Sequence, residues 1–316
     1  MCYNPGMKQF VLYKRILAIL LICLTAACGR SAQSGEAMTA APTAVPTATP
    51  EPIEETEIVA EVTAVTDTAL PEIPTLPPTP APTPTPEPTP TPEPTPTPLP
   101  LEGFVIGIDP GHQKVYDPAP EPVAPNSYTT KQKVAGGCRG IRSGIYEYDV
   151  AQDVGLELKR LLEAEGATVV ITHETTEVNI SNIERAEIFN KANVDLAIRL
   201  HCNQSDDRKM RGAFMLVPGE RRTHYYEYNV KAAKTILEEY LAETKLPMRF
   251  KEGMTYRDDQ TGFNWCTRPI INIEMGHLSN PDEDMLIADA DFRKTMARGL
   301  FNGFLRFFAE NGKPDQ

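Results

Sequence analysis

Residues 103–312 predict a single three-layer α/β domain: a mostly parallel, twisted central sheet flanked by helices, preceded by a disordered stalk. Three observations predict it. Short apolar or β-branched runs alternate with segments of helical periodicity. One run, 194–200, is apolar almost throughout, as a strand covered on both faces is. The stretch is also long enough for one domain with a real core.

The first strand is 104–109, Phe-Val-Ile-Gly-Ile-Asp. Residues 112–144 are polar, rich in glycine and proline and without periodicity, so they predict a loop. Residues 147–165 predict a helix, because Val150, Val154, Leu158, Leu161 and Leu162 recur on one face and Gly166 ends it. Residues 167–172 predict a β-branched strand. Ser181-Asn182-Ile183-Glu184 is a capping box opening a helix to about Asn193. Strands follow at 194–200 and 212–217, a helix at 224–244 and a strand at 269–274. Asn280 caps and Pro281 begins a further helix. Residues 291–310 give the last one, and 313–316 a short tail. The segments 112–144 and 245–268 exceed typical connections. Both abut the residues that carry chemistry, so they are expected to wall a cleft.

The chain ahead of this domain predicts an address and a stalk. Lys8, Lys14 and Arg15 precede an apolar stretch, 16–24, too short to span a bilayer comfortably, and Met7 is a candidate start. Leu24-Thr25-Ala26-Ala27-Cys28 resembles a lipobox, with Cys28 as the lipidated residue and Thr25 where Leu is usual. An ordinary signal peptide cut near Ala26-Ala27 and an uncleaved anchor are the other readings; the first two export the chain. Residues 29–102 hold no aromatic and are rich in Ala, Thr, Pro and Glu. Their Thr-Pro, Ala-Pro and Glu-Pro alternation favours polyproline II, at roughly 3.1 Å per residue about 90 Å over 71–100. A plain flexible linker differs only in stiffness.

Charge excludes one class of partner. Residues 31–102 hold eleven acids and no base, which accounts for most of the net −12. The domain has no basic stripe, so nucleic-acid binding is not expected. Nothing indicates an oligomer. Cys138, Cys202 and Cys266 allow at most one disulfide, and the absence of CxxC excludes a Cys₄ zinc site.

Four residues stand where a strand or helix meets a loop. His112 follows the first strand in Asp109-Pro110-Gly111-His112, His201 follows the third, Glu274 closes the strand at 269–274, and Glu147 opens a helix. Parallel strands would bring their carboxyl ends to one edge, where open α/β sheets build sites. Two imidazoles and a carboxylate match the ligand set of a catalytic zinc.

Ile108-Asp109-Pro110-Gly111-His112, the helix-opening Glu147, Leu200-His201-Cys202-Asn203 and Ile273-Glu274-Met275-Gly276-His277-Leu278-Ser279-Asn280, in this order, resemble the zinc-dependent N-acetylmuramoyl-L-alanine amidases of the Amidase_3 family. The likeness spans 104–310 and includes the capped helix with Arg185 and Asn190. The resemblance implies one Zn2+ held by His112, Glu147 and His201, with Glu274 as the catalytic carboxylate. It implies peptidoglycan as substrate, cut between N-acetylmuramic acid and the L-alanine of the stem peptide, at the outer face of the bacterial cytoplasmic membrane or in the wall. Cys202, His277 and His173 depart from the family's usual residues at their positions. The alternatives are a wall-binding protein of the same fold with weak catalysis, a zinc peptidase acting on the stem peptide, and a glycosidase using paired carboxylates.

Other expectations attach to single residues. Asp109 is a candidate acceptor fixing the ring of His112, and Arg268 a candidate oxyanion partner. His277 is a candidate cleft contact. His173 and His224 are expected at the surface, and Trp265 in packing. Asn203 and Asn280 are expected to fix loops, and Tyr225, Tyr226 and Tyr228 to form one helical turn. Cys202 should point away from His201, since adjacent strand residues alternate. Lys131, Lys133 and Arg139 belong to a loop that either occludes the cleft or steers anionic wall polymer.

Overall fold

The computed structural model describes residues 98–315. The expectations for the leader and nearly all of the stalk fall outside them. In chain order the elements are β1 (Val105–Pro110), β2 (Asp117–Pro122), β3 (Thr130–Val134), α1 (Glu147–Ala164), β4 (Thr168–Ile171), α2 (Asn182–Ala192), β5 (Leu196–Asn203), β6 (Phe214–Pro218), α3 (Tyr226–Thr244), β7 (Met254–Arg257), α4 (Thr261–Trp265), β8 (Ile270–His277), α5 (Pro281–Ala288) and α6 (Ala290–Asn311).

Six strands form the central sheet in the order β4-β1-β5-β8-β6-β7. The β1–β4, β1–β5, β5–β8 and β6–β7 pairs are parallel; β6 runs antiparallel to β8. The exception has a local cause. The β5–β6 connection contains no helix to carry the chain back across the sheet, so β6 returns in the opposite direction.

The two faces of the sheet are covered unequally. Along β5, Leu196, Ile198, Leu200 and Cys202 point into the larger core with α1, α3 and α6. Ala197 points the other way, into a smaller cluster with Phe189 of α2 and Phe263 of α4. Arg199 and His201 share that second face by alternation. Two short helices, α2 and α4, cover it only in part, which leaves room for a cleft. Close backbone approach sets both layers. A Cβ on Gly107 would come 2.8 Å from the Phe189 ring, and one on Gly303 of α6 would come 2.6 Å from Ile236 Cα in α3.

Capping follows the sequence where its signals were strong. Ser181 and Glu184 form both halves of the capping box, and Asn193 ends α2 in the left-handed conformation. Asn280 accepts from the backbone of Asp282 and Glu283 ahead of Pro281.

The expected 112–144 loop is instead partly a hairpin, β2 against β3. Pro118, Pro120 and Pro122 read as strand breakers, but this ribbon has only two strands and both are edges, where a missing N–H is tolerated. Within 245–268 lie β7 and α4, too short to show periodicity. Cys138, Cys202 and Cys266 are all free thiols. Among the described residues no helix is long and apolar enough to cross a membrane.

Candidate metal centre

The chain leaves β1 through Gly111, whose N–H donates to the Leu200 carbonyl at 2.8 Å. A Cβ here would come 2.5 Å from His201 Cε1, so glycine is what lets the first histidine approach the second. His112 then adopts φ 62°, a left-handed conformation that non-glycine residues seldom take and that marks functional segments when it occurs. Its Nδ1 donates to the Ala135 carbonyl at 2.8 Å, which leaves the Nε2 lone pair free.

That lone pair faces Glu147 Oε1 at 3.2 Å, and His201 Nδ1 faces the same oxygen at 3.0 Å. Glu147 is held from behind: the Cys202 N–H donates to Oε1 at 3.0 Å and the Cys138 N–H to Oε2 at 2.8 Å. The donor atoms of His112, Glu147 and His201 all lie within 4.8 Å of one another, the one such group of three among the described residues. A tetrahedral ion with ligand bonds of ~2.0–2.2 Å places its ligands ~3.3–3.6 Å apart. The closest separations here are near that, and both imidazoles and the carboxylate are borderline-hard donors that suit zinc. The residues therefore fit the ion that the sequence resemblance implies.

Burial and mutual charge put Glu147 and His201 in the deprotonated forms a metal needs, and favour the proton on His112. Burial alone would push the Glu147 carboxyl up, but His112 and His201 outweigh it and hold it well below the usual range. Burial lowers His201 to about 4, with His112 adding repulsion against the bond from Glu147. His112 is raised, because Glu147 overcomes the burial that disfavours its charge.

Glu274 stands across from His201 in the β5–β8 register. Asn272 Nδ2 donates to its Oε1 at 3.4 Å. Burial, then the neighbouring Glu147 charge, raise its carboxyl to about 8. His112, His201, Glu274, Arg199, Asn182 and Asn272 line one cleft of about 630 Å³. Lys131, Gln132 and Ala135 form one wall, and Gln260 and Thr261 the other. Lys131 reaches Asp259 Oδ2 at 3.0 Å, tying the two walls together. The long segments at 112–144 and 245–268 thus wall the cleft as expected.

Several single-residue expectations are corrected. Asp109 does not meet His112. It is fully buried, with Oδ1 2.6 Å from Arg185 Nη1 and Oδ2 2.8 Å from Arg199 Nε, and Thr172 Oγ1 donates to it at 2.8 Å. Arg268 lies at the far, amino-terminal ends of β5 and β8, donating to the Val194 carbonyl at 2.9 Å. His173 is buried, bonded to Gln152 at 2.9 Å and to the Pro110 carbonyl at 3.1 Å. His277 does not line the cleft; it is completely buried between the Gly212 carbonyl and the Asn203 amide. Trp265 packs and donates to Pro122, Asn203 and Asn280 fix loops, and His224 is exposed, as expected. Cys202 turns its side chain into the core, away from the cleft.

Arg199 escaped the sequence reading. The signal was present as a lone charge inside an apolar strand, a residue buried only when paired. Thr261 carried no signal, because α4 is too short to be seen.

Fold and cleft together define a class: an α/β domain with two histidines and two carboxylates gathered near the ends of its parallel strands. The family model Amidase_3, N-acetylmuramoyl-L-alanine amidase, matches residues 106–306, and the chain belongs to that family. It is 27% identical over 234 residues to the germination-specific N-acetylmuramoyl-L-alanine amidase of Bacillus subtilis, covering 69% of this chain and 85% of that protein. The fold is shared with an N-acetylmuramyl-L-alanine amidase of Mycobacterium smegmatis at TM-score 0.61 and 20% identity, over 67% of this chain and 99% of that one. It is also shared with the CwlD amidase of Clostridioides difficile, solved in complex with the GerS lipoprotein, at TM-score 0.54 and 20% identity, over 66% of this chain and 100% of that one.

Proposed function

We propose that this chain is a zinc-dependent peptidoglycan amidase that hydrolyses the amide between the lactyl group of N-acetylmuramic acid and the L-alanine of the stem peptide. The observation that carries the reading is the convergence of His112 Nε2, His201 Nδ1 and Glu147 Oε1, with Glu274 in the same cleft. A zinc ion held by these three residues would polarise the scissile carbonyl and acidify a water.

The chain's own groups do the rest. The Ala135 carbonyl fixes the His112 ring so that Nε2 faces the site. The Cys138 and Cys202 amides orient Glu147, which leaves that carboxylate unsuited to proton transfer. Glu274 takes a proton from the attacking water and returns it to the departing alanine nitrogen. Its raised value suits it to hold that proton between the two steps, while a cation beside Glu147 would favour the ionised form that begins the cycle.

The leader and stalk support export and tethering: 1–28 as a signal of the lipoprotein type with Cys28 as anchor, 29–102 as the linker and 103–312 as the catalytic domain. The test is digestion of purified sacculi. New L-alanine amino termini, lost on chelation and restored by zinc, support the reading. Reducing sugar ends, or new termini only within the stem peptide, would assign a glycosidase or a peptidase instead. Zinc binding without product would leave a wall-binding role.

A further inference from the structure

We propose that Arg199 and Thr261 form a carboxylate subsite beside the candidate metal centre, one that recognises the free α-carboxylate of the second residue of the stem peptide. The proposal rests on the amidase reading and adds a specificity determinant to it.

The parallel register of β5 and β8 sets Arg199 opposite Asn272 and His201 opposite Glu274. Alternation places all four on one face, and all four line the cleft. Arg199 therefore stands one two-residue step from His201, ~6.6 Å along the strand.

The guanidinium is only partly used. Its Nε donates to Asp109 and its Nη2 to Asn182, each at 2.8 Å. Its Nη1 has no hydrogen-bond partner among the described residues, although the side chain is only 7% exposed. The place it occupies exists because position 262 is glycine; a Cβ there would come 2.7 Å from Nη1. Thr261, next in the chain, lines the same cleft. It is 4% exposed, and its Oγ1 is buried without a hydrogen-bond partner. A buried hydroxyl left unpaired is costly, so it points to a ligand atom that completes it.

Charge defines that ligand. Asp109 is the single carboxylate shared by Arg185 and Arg199, so one buried anion faces two buried cations. Within this trio the surplus is positive, and Arg199 carries it to the cleft, which it shares with the carboxyl of Glu274. A guanidinium N–H only donates and a hydroxyl can also donate, so a carboxylate satisfies both, and the guanidinium charge favours it over a neutral acceptor. In a peptidoglycan stem, L-alanine is followed by a glutamyl residue joined onward through its side-chain carbonyl, leaving its α-carboxyl free or as the carboxamide. That group lies one Cα–Cα step of 3.80 Å beyond the alanine, about 6–7 Å from the scissile carbon. The spacing matches the step from His201 to Arg199. A carboxamide oxygen could accept from the guanidinium, but as a neutral group it would leave the surplus charge unbalanced.

The test compares two muropeptides that differ only in this group, with zinc-loaded full-length enzyme. The carboxylate form should show kcat/KM about tenfold or more above the carboxamide form. Arg199→Gln should bring the ratio to within about threefold of one. Thr261→Val should narrow it without loss of folding, since the hydroxyl it removes has no partner. Calorimetric binding of the L-alanyl-D-glutamate dipeptide and its α-amide should show the same order, independent of turnover. A wild-type ratio near one, or a ratio unchanged in both variants, would overturn the subsite. Dipeptide discrimination with neither muropeptide cleaved would keep the subsite and sink the amidase reading.

Discussion

Glu274 of β8 and His201 of β5 are direct partners in the parallel register of the two central strands. Side chains at such positions emerge side by side on one face, so the proposed base is delivered next to a proposed ligand by backbone geometry alone. Replacing Glu274 by Gln keeps its shape and its bond from Asn272 while removing the proton acceptor. The variant should bind zinc stoichiometrically and lose about 10²–10⁴ in kcat. Metal content by mass spectrometry and turnover on muropeptides measure both. Activity within tenfold of wild type would remove Glu274 from the proton-transfer role.

Glu147 is the hub of the donor set, since both ring nitrogens and two backbone amides converge on it. Glu147→Ala should abolish stoichiometric zinc. Zinc at 100 times its dissociation constant should stabilise the wild type by about 2.7 kcal/mol, and this increment should vanish in the variant. Thermal melts with and without zinc read it. A variant that keeps the increment would show that the ion binds elsewhere.

Much of the fold was legible because its local signals agreed. Ser181, Glu184 and Asn193 bound α2, and Val150, Val154 and Leu158 define one face of α1. Strand direction was not legible at β6, because it depends on the connection crossing the sheet. The hairpin was hidden by prolines that a two-stranded ribbon accepts. In the cleft, His112 and His201 could be picked out because each follows an apolar run. Asp109 was assigned the wrong neighbour, since sequence proximity to His112 outweighed what only the sheet reveals: the arginines of α2 and β5 converge on it. His173 looked like a surface residue because Gln152 and Arg185, which enclose it, are distant in sequence.

Asp109 gives a prediction about stability. Burial opposes its charge, but Arg185 and Arg199 outweigh burial and hold its carboxyl far below the usual range. A depressed folded value means that the contribution is complete above the unfolded value near 3.9 and fades only as pH falls toward the folded value. Asp109→Asn would strand two buried guanidiniums and should cost about 3–5 kcal/mol at neutral pH. Urea melts at pH 7 measure it, and a loss under 1 kcal/mol would contradict the network.

His277 makes an acid prediction of the same sign, in a higher pH window. Its Nδ1 donates to the Gly212 carbonyl and its Nε2 accepts from the Asn203 amide, both at 3.1 Å, so the neutral ring is fully satisfied. Burial, then nearby Arg249, lower its value from 6.5 to about 4; the Glu283 carboxyl, 3.8 Å from Nδ1, opposes this, but it already accepts from the His277 and Gly212 amides. Between those values the unfolded chain binds the extra proton and the folded one does not, so stability falls as pH drops through that window. At ~1.4 kcal/mol per unit, the ceiling is about 3 kcal/mol. His277→Gln removes the titrating ring. It should be less stable at pH 7 but lose less between pH 6.5 and 4 than the wild type does, with chelator present so that the metal ligands contribute equally to both. Parallel pH–stability curves for the two proteins would show that His277 takes up its proton as readily folded as unfolded.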